Sequence, residues 1–140
     1  MGLPPGAAWF SLSELPGTYL LVNIFHELCS SCLRLAPHYD RVFHEFRDGP
    51  AADGRIKFIA LAADASPRTA AGFRKRNLLG YPVFADERRT VFKSLGEPVL
   101  PALYLLRKTP QGPWILAGHL TAFEGDAAEL KAWISKTVPR

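Results

Sequence analysis

Short apolar runs alternate with amphipathic stretches along the chain, and this pattern predicts its strands and helices. Residues 19–25 and 55–61 are rich in aliphatic, β-branched and aromatic side chains and are typical of buried strands. Between them, residues 29–47 carry apolar side chains at helical spacing, and the Asp-Gly-Pro sequence at 48–50 ends that helix. A strand, a helix and a second strand in this order predict a parallel pair of strands, and therefore an α/β protein.

The remainder of the chain predicts shorter elements bounded by caps and turns. These are a leading strand at 9–12, a helix at 66–77 capped by Ser66, an extended link at 80–84, a helix at 87–95 capped by Asp86, a hairpin of strands at 102–106 and 114–118, and a last helix capped by Asp126. The predicted order is β-β-α-β-α-α-β-β-α. This order indicates a mixed sheet with helices on both faces.

Length and charge limit the classes of function. The chain has 140 residues, of which 48% are hydrophobic, so we assign residues 1–8 to an N-terminal linker and residues 9–140 to one domain. The net charge of +4 comes from scattered Lys and Arg without a nucleic-acid motif, which favours solvated helix faces over a nucleic-acid partner. No run approaches the roughly 20 apolar residues of a membrane span, and no signal-peptide pattern opens the chain.

The candidate chemistry is a Cys-x-x-Cys motif, Cys29-Ser30-Ser31-Cys32, at the point where the first core strand turns into a helix. The first turn of a helix has unpaired N–H groups and the positive end of the helix dipole, which favour a thiolate over a thiol. Cys29 is therefore the predicted nucleophile. Cys32, one turn further along the same face, is predicted to close or resolve a disulfide.

Two other roles for these cysteines fit less well. A purely structural disulfide across so short a ring removes little chain entropy. A zinc site needs two further ligands, and the chain has no second Cys-x-x-Cys pair. We therefore expect a redox-active pair, with no metal site and no cofactor beyond the two cysteines.

The motif and its surroundings resemble the thioredoxin-like superfamily, and within it the TlpA and ResA type of thiol–disulfide oxidoreductase of cytochrome c maturation. The resemblance rests on the strand residues 22–25, on Cys29 and Cys32, and on Pro37, five residues after the second cysteine. It implies a thioredoxin-like α/β fold with a TlpA-type strand-helix insert, for which residues 63–86 are available.

A second proline extends the resemblance to the substrate site. Pro101 stands directly before an apolar strand, where the family has a cis-proline facing the cysteine pair. The resemblance therefore implies that Leu100 and Pro101 bind substrate, with the Leu100 backbone pairing with an incoming substrate strand.

The sequence departs from the family pattern around the cysteines. Asn23 replaces thioredoxin's buried aspartate, so no carboxylate base is available at that position. Leu28 replaces the tryptophan before the first cysteine, and His26 replaces a small residue. His26 either tunes Cys29 electrostatically or is a partly exposed histidine at a strand end. Ser30 and Ser31 are an uncommon pair, which leaves the direction of electron flow open.

Other branches of the superfamily give two alternatives. Peroxiredoxins have Thr or Ser where His26 stands, which argues against peroxidase activity. Copper-delivering relatives use a longer cysteine spacing and a distant histidine, so Cys29, Cys32 and His119 are the candidate ligands of an alternative Cu(I)-binding function. An interaction module with inactive cysteines is a third possibility.

The resemblance further implies partners and a location. We expect a monomeric enzyme that exchanges dithiol and disulfide with protein substrates, preferentially as a reductant, and that is itself reduced by a redox donor protein embedded in a membrane. The implied location is extracytoplasmic, in a bacterial periplasm or anchored facing outward, with the export signal or anchor outside this chain.

Overall fold

The computed structural model describes residues 17–49 and 52–139. Its elements, in chain order, are β1 (Tyr19–Phe25), α1 (Ser30–Asp48), β2 (Ile56–Ala63), α2 (Pro67–Arg76), β3 (Val83–Asp86), α3 (Thr90–Ser94), β4 (Ala102–Lys108), β5 (Trp114–Leu120) and α4 (Ala127–Thr137). The predicted linker at 1–8 and leading strand at 9–12 lie outside the described residues.

The strands form one mixed sheet in the order β3-β2-β1-β4-β5. β1 is parallel to β2 and antiparallel to β4, and β2 is parallel to β3. The predicted parallel pair and the predicted hairpin of β4 and β5 are confirmed. Since β1 has a neighbour on each side and is buried at every position, its carboxyl end is fixed in the middle of the sheet.

Successive side chains of β1 point to opposite faces of the sheet and enter two separate hydrophobic clusters. The larger cluster contains Leu21 and Phe25 of β1 together with buried residues of α1, α2 and α4. The smaller contains Leu20, Val22 and Ile24, with Phe92 of α3 packed against it. Helices therefore cover both faces, as the sequence predicts.

A buried tyrosine fixes α1 to the sheet. The Tyr39 hydroxyl donates to the carbonyl oxygens of Leu21 in β1, at 3.0 Å, and Ile59 in β2, at 2.9 Å. Burial raises the pKa of Tyr39 well above its usual range, so the hydroxyl keeps the proton that it donates. Because Tyr39 spans the two central strands, it determines how α1, and with it the cysteine motif, lies over the sheet.

The segment between β2 and β4 differs from the sequence prediction in one strand. Residues 80–84 were expected to form only an extended link, whereas Val83–Asp86 form β3. The strand forms because it pairs with β2, where Val83 and Phe84 lie beside Ala60 and Leu61. A four-residue strand with partly exposed side chains carries little periodicity of its own.

The helix predicted at 87–95 is also shorter than expected, because α3 begins only at Thr90. Arg89 has a left-handed backbone, with φ of 57°, so the preceding residues form a turn. The Asp86 carboxylate accepts from the amides of Val91, at 3.2 Å, and Phe92, at 2.9 Å. Asp86 therefore accepts hydrogen bonds from the first-turn amides of α3, although it lies further back in the sequence than a normal N-cap residue.

Substitution of Tyr39 by Phe tests the attachment of α1. We expect Tyr39→Phe to lower the free energy of unfolding by about 1 kcal/mol, since it removes one buried donor and leaves the ring in place. Urea denaturation measures this change. Tyr104→Phe is the matched control, because the Tyr104 ring is partly exposed beside His119. Equal stability of Tyr39→Phe and the unchanged protein would contradict the assignment.

Candidate redox site

Cys29 is the N-cap residue of α1 and has an extended backbone, with φ of −85° and ψ of 114°. Its Sγ accepts a hydrogen bond from the Cys32 amide at 3.2 Å. The sulfur therefore occupies the place in which a capping oxygen normally satisfies a first-turn N–H group. The same N–H group stabilises negative charge on Cys29 once the pair is reduced.

The two cysteines form a disulfide, with their Cα atoms 5.1 Å apart. They differ in accessibility, because Cys29 is partly exposed whereas Cys32 is only 1% exposed and belongs to the larger hydrophobic cluster. Another protein can therefore reach the sulfur of Cys29 but not that of Cys32. Ser30 between them is exposed.

A tight turn leads from β1 to Cys29, and His26 closes it. The carbonyl oxygen of His26 accepts from the Cys29 amide at 3.0 Å. The Nδ1 atom of its ring accepts from the Leu28 amide, also at 3.0 Å. The Nε2 atom lies 3.9 Å from a carboxylate oxygen of Asp64, which follows β2. The Leu28 side chain at the tip of the turn is 84% exposed.

The segment around Pro101 is connected to the cysteine helix through a neighbouring loop. The Leu100–Pro101 peptide bond is cis, Pro101 is buried, and Leu100 and Cys29 pack against the same hydrophobic cluster. The Pro101 carbonyl oxygen accepts from the Phe123 amide at 3.2 Å. The next residue, Glu124, accepts a hydrogen bond from the Ser31 hydroxyl at 3.3 Å. The loop at 122–124 thus joins the Pro101 segment to the first turn of α1.

Asn23 is 2% exposed, and the alternation of β1 directs its side chain to the face that α1 covers. Its Oδ1 atom has no hydrogen-bond partner within the described part of the chain. The amide is neutral and accepts no proton, so the group at this position is a polar acceptor rather than a base.

The structure does not bring the candidate ligands of the alternative Cu(I)-binding function together. His119 lies on β5, and its ring stacks on Tyr104 with 6.1 Å between ring centroids. Tyr104 packs against the smaller cluster, whereas Cys32 belongs to the larger one on the opposite face of the sheet. Among residues 17–49 and 52–139, no group of three His, Cys, Asp or Glu side chains is placed to hold a metal ion.

Three charged residues that contact His26 or Ser31 were not predicted from the sequence. Asp64 faces His26, and Glu124 accepts from Ser31 and lies 3.7 Å from the Arg34 guanidinium. Arg34 also donates to the Ser31 hydroxyl at 3.3 Å. Asp64 and Glu124 have no local signal, because they reach these positions only after the sheet is assembled, whereas Arg34 lies one helical turn after Ser31.

Three solved structures are similar to this chain in fold. A secreted Mycobacterium tuberculosis disulfide oxidoreductase homologous to Escherichia coli DsbE is 17% identical, with a TM-score of 0.66 over 91% of this chain and 87% of that chain. StoA from Bacillus subtilis is 16% identical, with a TM-score of 0.67 over 85% and 84%. A thioredoxin-family thiol:disulfide interchange protein from Chlorobium tepidum is 17% identical, with a TM-score of 0.69 over 91% and 85%.

These similarities show that the chain has a thioredoxin-like fold. With a Cys-x-x-Cys pair at the start of α1, the fold and the site define an oxidoreductase of the thiol–disulfide class. The chain belongs to the AhpC/TSA family, which it matches over residues 4–110. A search of curated proteins gave no match. No helix in the described ranges has the length and apolar character needed to cross a membrane.

The difference in exposure between the cysteines predicts unequal reactivity. After reduction, we expect iodoacetamide to modify Cys29 at least about tenfold faster than Cys32, because only Cys29 combines exposure with a stabilised thiolate. Mass spectrometry of the two labelled positions after short reaction times measures both rates. In denaturant the two rates should converge. Equal rates in the folded protein would show that the buried position of Cys32 is wrong.

Proposed function

We propose that this protein exchanges dithiol and disulfide with protein substrates through Cys29, and that it acts as a reductant. The observation that carries the proposal is the asymmetry of the pair at the N-terminus of α1. Cys29 is partly exposed and its sulfur faces the Cys32 amide, whereas Cys32 is buried within disulfide distance behind it. Cys29 is therefore suited to attack a substrate disulfide, and Cys32 is suited to resolve the mixed disulfide that results.

In the proposed reaction, the Cys29 thiolate attacks one sulfur of a substrate disulfide. A mixed disulfide forms, and the other substrate sulfur leaves as a thiolate. Cys32 then loses its proton and attacks the Cys29 sulfur, which breaks the mixed disulfide and releases the second substrate thiolate. Two electrons pass to the substrate, and the Cys29–Cys32 disulfide is left. A dithiol donor protein must reduce this disulfide before the next cycle.

The surface near Cys29 supports a protein segment as the substrate. Leu28 is 84% exposed and Val99 is 66% exposed, so apolar side chains are presented from the turn before Cys29 and from the segment before Pro101. We propose that an extended substrate segment lies beside Leu100 and Pro101 and pairs with the Leu100 backbone. Apolar substrate residues next to the reacting cysteine would cover Leu28 and Val99.

Disulfide exchange is favoured over peroxidase activity. Peroxiredoxins have Thr or Ser at the position of His26, whereas the His26 ring accepts the Leu28 amide and carries no hydroxyl group to offer a peroxide. We therefore propose that the substrate contains a sulfur–sulfur bond rather than an oxygen–oxygen bond.

We also propose the TlpA and ResA type of cytochrome c maturation as the subclass. Support comes from α2 and β3, which occupy the segment 63–86 available for the insert, and from the neighbouring structures that are described as a disulfide oxidoreductase and a thiol:disulfide interchange protein. One of those neighbours is a secreted protein, which supports an extracytoplasmic location. We propose that the protein works there as a monomer and receives electrons from a membrane-embedded donor.

Cysteine variants test the two roles. We expect Cys29→Ser to reduce a disulfide substrate such as insulin no faster than the thiol reagent alone. Cys32→Ser should instead accumulate a mixed disulfide, because attack proceeds but resolution does not. Non-reducing electrophoresis and mass spectrometry detect that species. Full exchange activity in Cys29→Ser would refute the assignment of roles.

The reduction potential tests the direction of electron flow. We expect the Cys29–Cys32 pair to equilibrate with a dithiothreitol or glutathione buffer at or below about −250 mV, close to thioredoxin. Thiol counting at each buffer ratio gives the value, and Cys32→Ser, which cannot form the internal disulfide, is the control. A value near about −120 mV would make the protein a disulfide donor and would contradict its role as a reductant.

A further inference from the structure

The turn between β1 and α1, which positions Cys29, is closed by two hydrogen bonds that His26 accepts. The carbonyl oxygen of His26 accepts from the Cys29 amide, and its Nδ1 atom accepts from the Leu28 amide, both at 3.0 Å. The second bond joins a side chain to the backbone two residues further on. Asn and Asp make this contact in Asx turns, and here an imidazole ring takes their place.

This contact requires one tautomer of the imidazole. To accept a hydrogen bond, Nδ1 must carry no proton, so the ring proton is on Nε2. The Nε2 atom faces Asp64, at 3.9 Å from its carboxylate oxygen. The Asp64 backbone is itself fixed, because its amide donates to the Asp86 carbonyl oxygen at 2.9 Å. At 3.9 Å the Asp64 carboxylate makes no hydrogen bond to the ring, and since its side chain is 61% exposed it is a weak ion-pair partner.

We propose that His26 is a positioning residue for Cys29, which acts by accepting a hydrogen bond from the Leu28 amide at Nδ1. This inference rests on the proposed function, in which Cys29 is the attacking group. The turn fixes the backbone of Cys29 in the extended N-cap conformation, and this conformation aims Sγ at the Cys32 amide. His26 therefore acts on Cys29 through geometry rather than through a positive charge.

The test compares two substitutions of the same residue. His26→Ala removes the acceptor, whereas His26→Asn offers Oδ1 at nearly the position of Nδ1 and restores an Asx turn without a titrating ring. The measurement is the rate at which iodoacetamide modifies Cys29 in the reduced protein, followed from acid to alkaline pH by mass spectrometry. His119→Ala is the control, since its ring stacks on Tyr104 away from the turn.

We expect His26→Ala to react about fivefold more slowly at neutral pH, the factor that corresponds to one net hydrogen bond. The midpoint of its pH profile should move to higher pH, because a loosened turn no longer aims the sulfur at the first-turn amide. His26→Asn should stay within about twofold of the unchanged protein, since the acceptor is restored. His119→Ala should react like the unchanged protein.

Two results would overturn the proposal. In the first, His26→Ala reacts like the unchanged protein, so the bond to Leu28 has no effect on Cys29. In the second, His26→Asn is as slow as His26→Ala, so the ring acts by some property other than its acceptor. Alkylation needs no protein substrate, and the result therefore stands whether or not the protein exchanges disulfides. Failure of the proposed function would appear instead as a lack of insulin reduction with normal alkylation.

Discussion

The reactive position of Cys29 depends on one constraint, which is that β1 is buried on both faces and paired on both sides. This strand cannot shift without moving its neighbours, so the point where it ends is fixed within the sheet. A turn of a few residues then places Cys29 at the start of α1, and Tyr39 fixes that helix to the carbonyl groups of the two central strands. The sulfur is thus held by the core of the molecule, although it lies at the surface.

The cysteine pair lies between the hydrophobic core and the Pro101 segment, at which we propose that substrate binds. Cys32 is packed into the larger cluster, which keeps its sulfur in place and away from other thiols. The Pro101 segment is connected to the same helix through the loop at 122–124. Since both sides are fixed to α1, a substrate segment would meet a preformed surface, and little ordering entropy would be lost in binding.

The sequence was sufficient for the elements that carry strong local patterns. β1, α1, β2 and the caps at Ser66 and Asp126 follow from apolar periodicity and short polar residues, and the structure confirms them. β3 and the late start of α3 could not be predicted, because both depend on pairing with β2 and on side-chain contacts of Asp86. The roles expected of Cys29 and Cys32 were predicted from a motif that spans only one turn of helix. The Glu124 and Asp64 contacts depend on tertiary structure, so no local pattern predicts them.

The buried amide of Asn23 has a consequence for the proposed resolving step. In the proposed step Cys32 gives up its proton as it attacks, and Asn23 accepts none, although it occupies the position of a carboxylate in thioredoxin. The inner side of Cys32 is the larger hydrophobic cluster, which offers apolar side chains to its sulfur. The proton must therefore leave toward the exposed side of the site, where the departing substrate sulfur becomes basic as its bond to Cys29 breaks. Transfer in this direction couples deprotonation of Cys32 to departure of the substrate, so a mixed disulfide resolves only while its substrate sulfur lies in line.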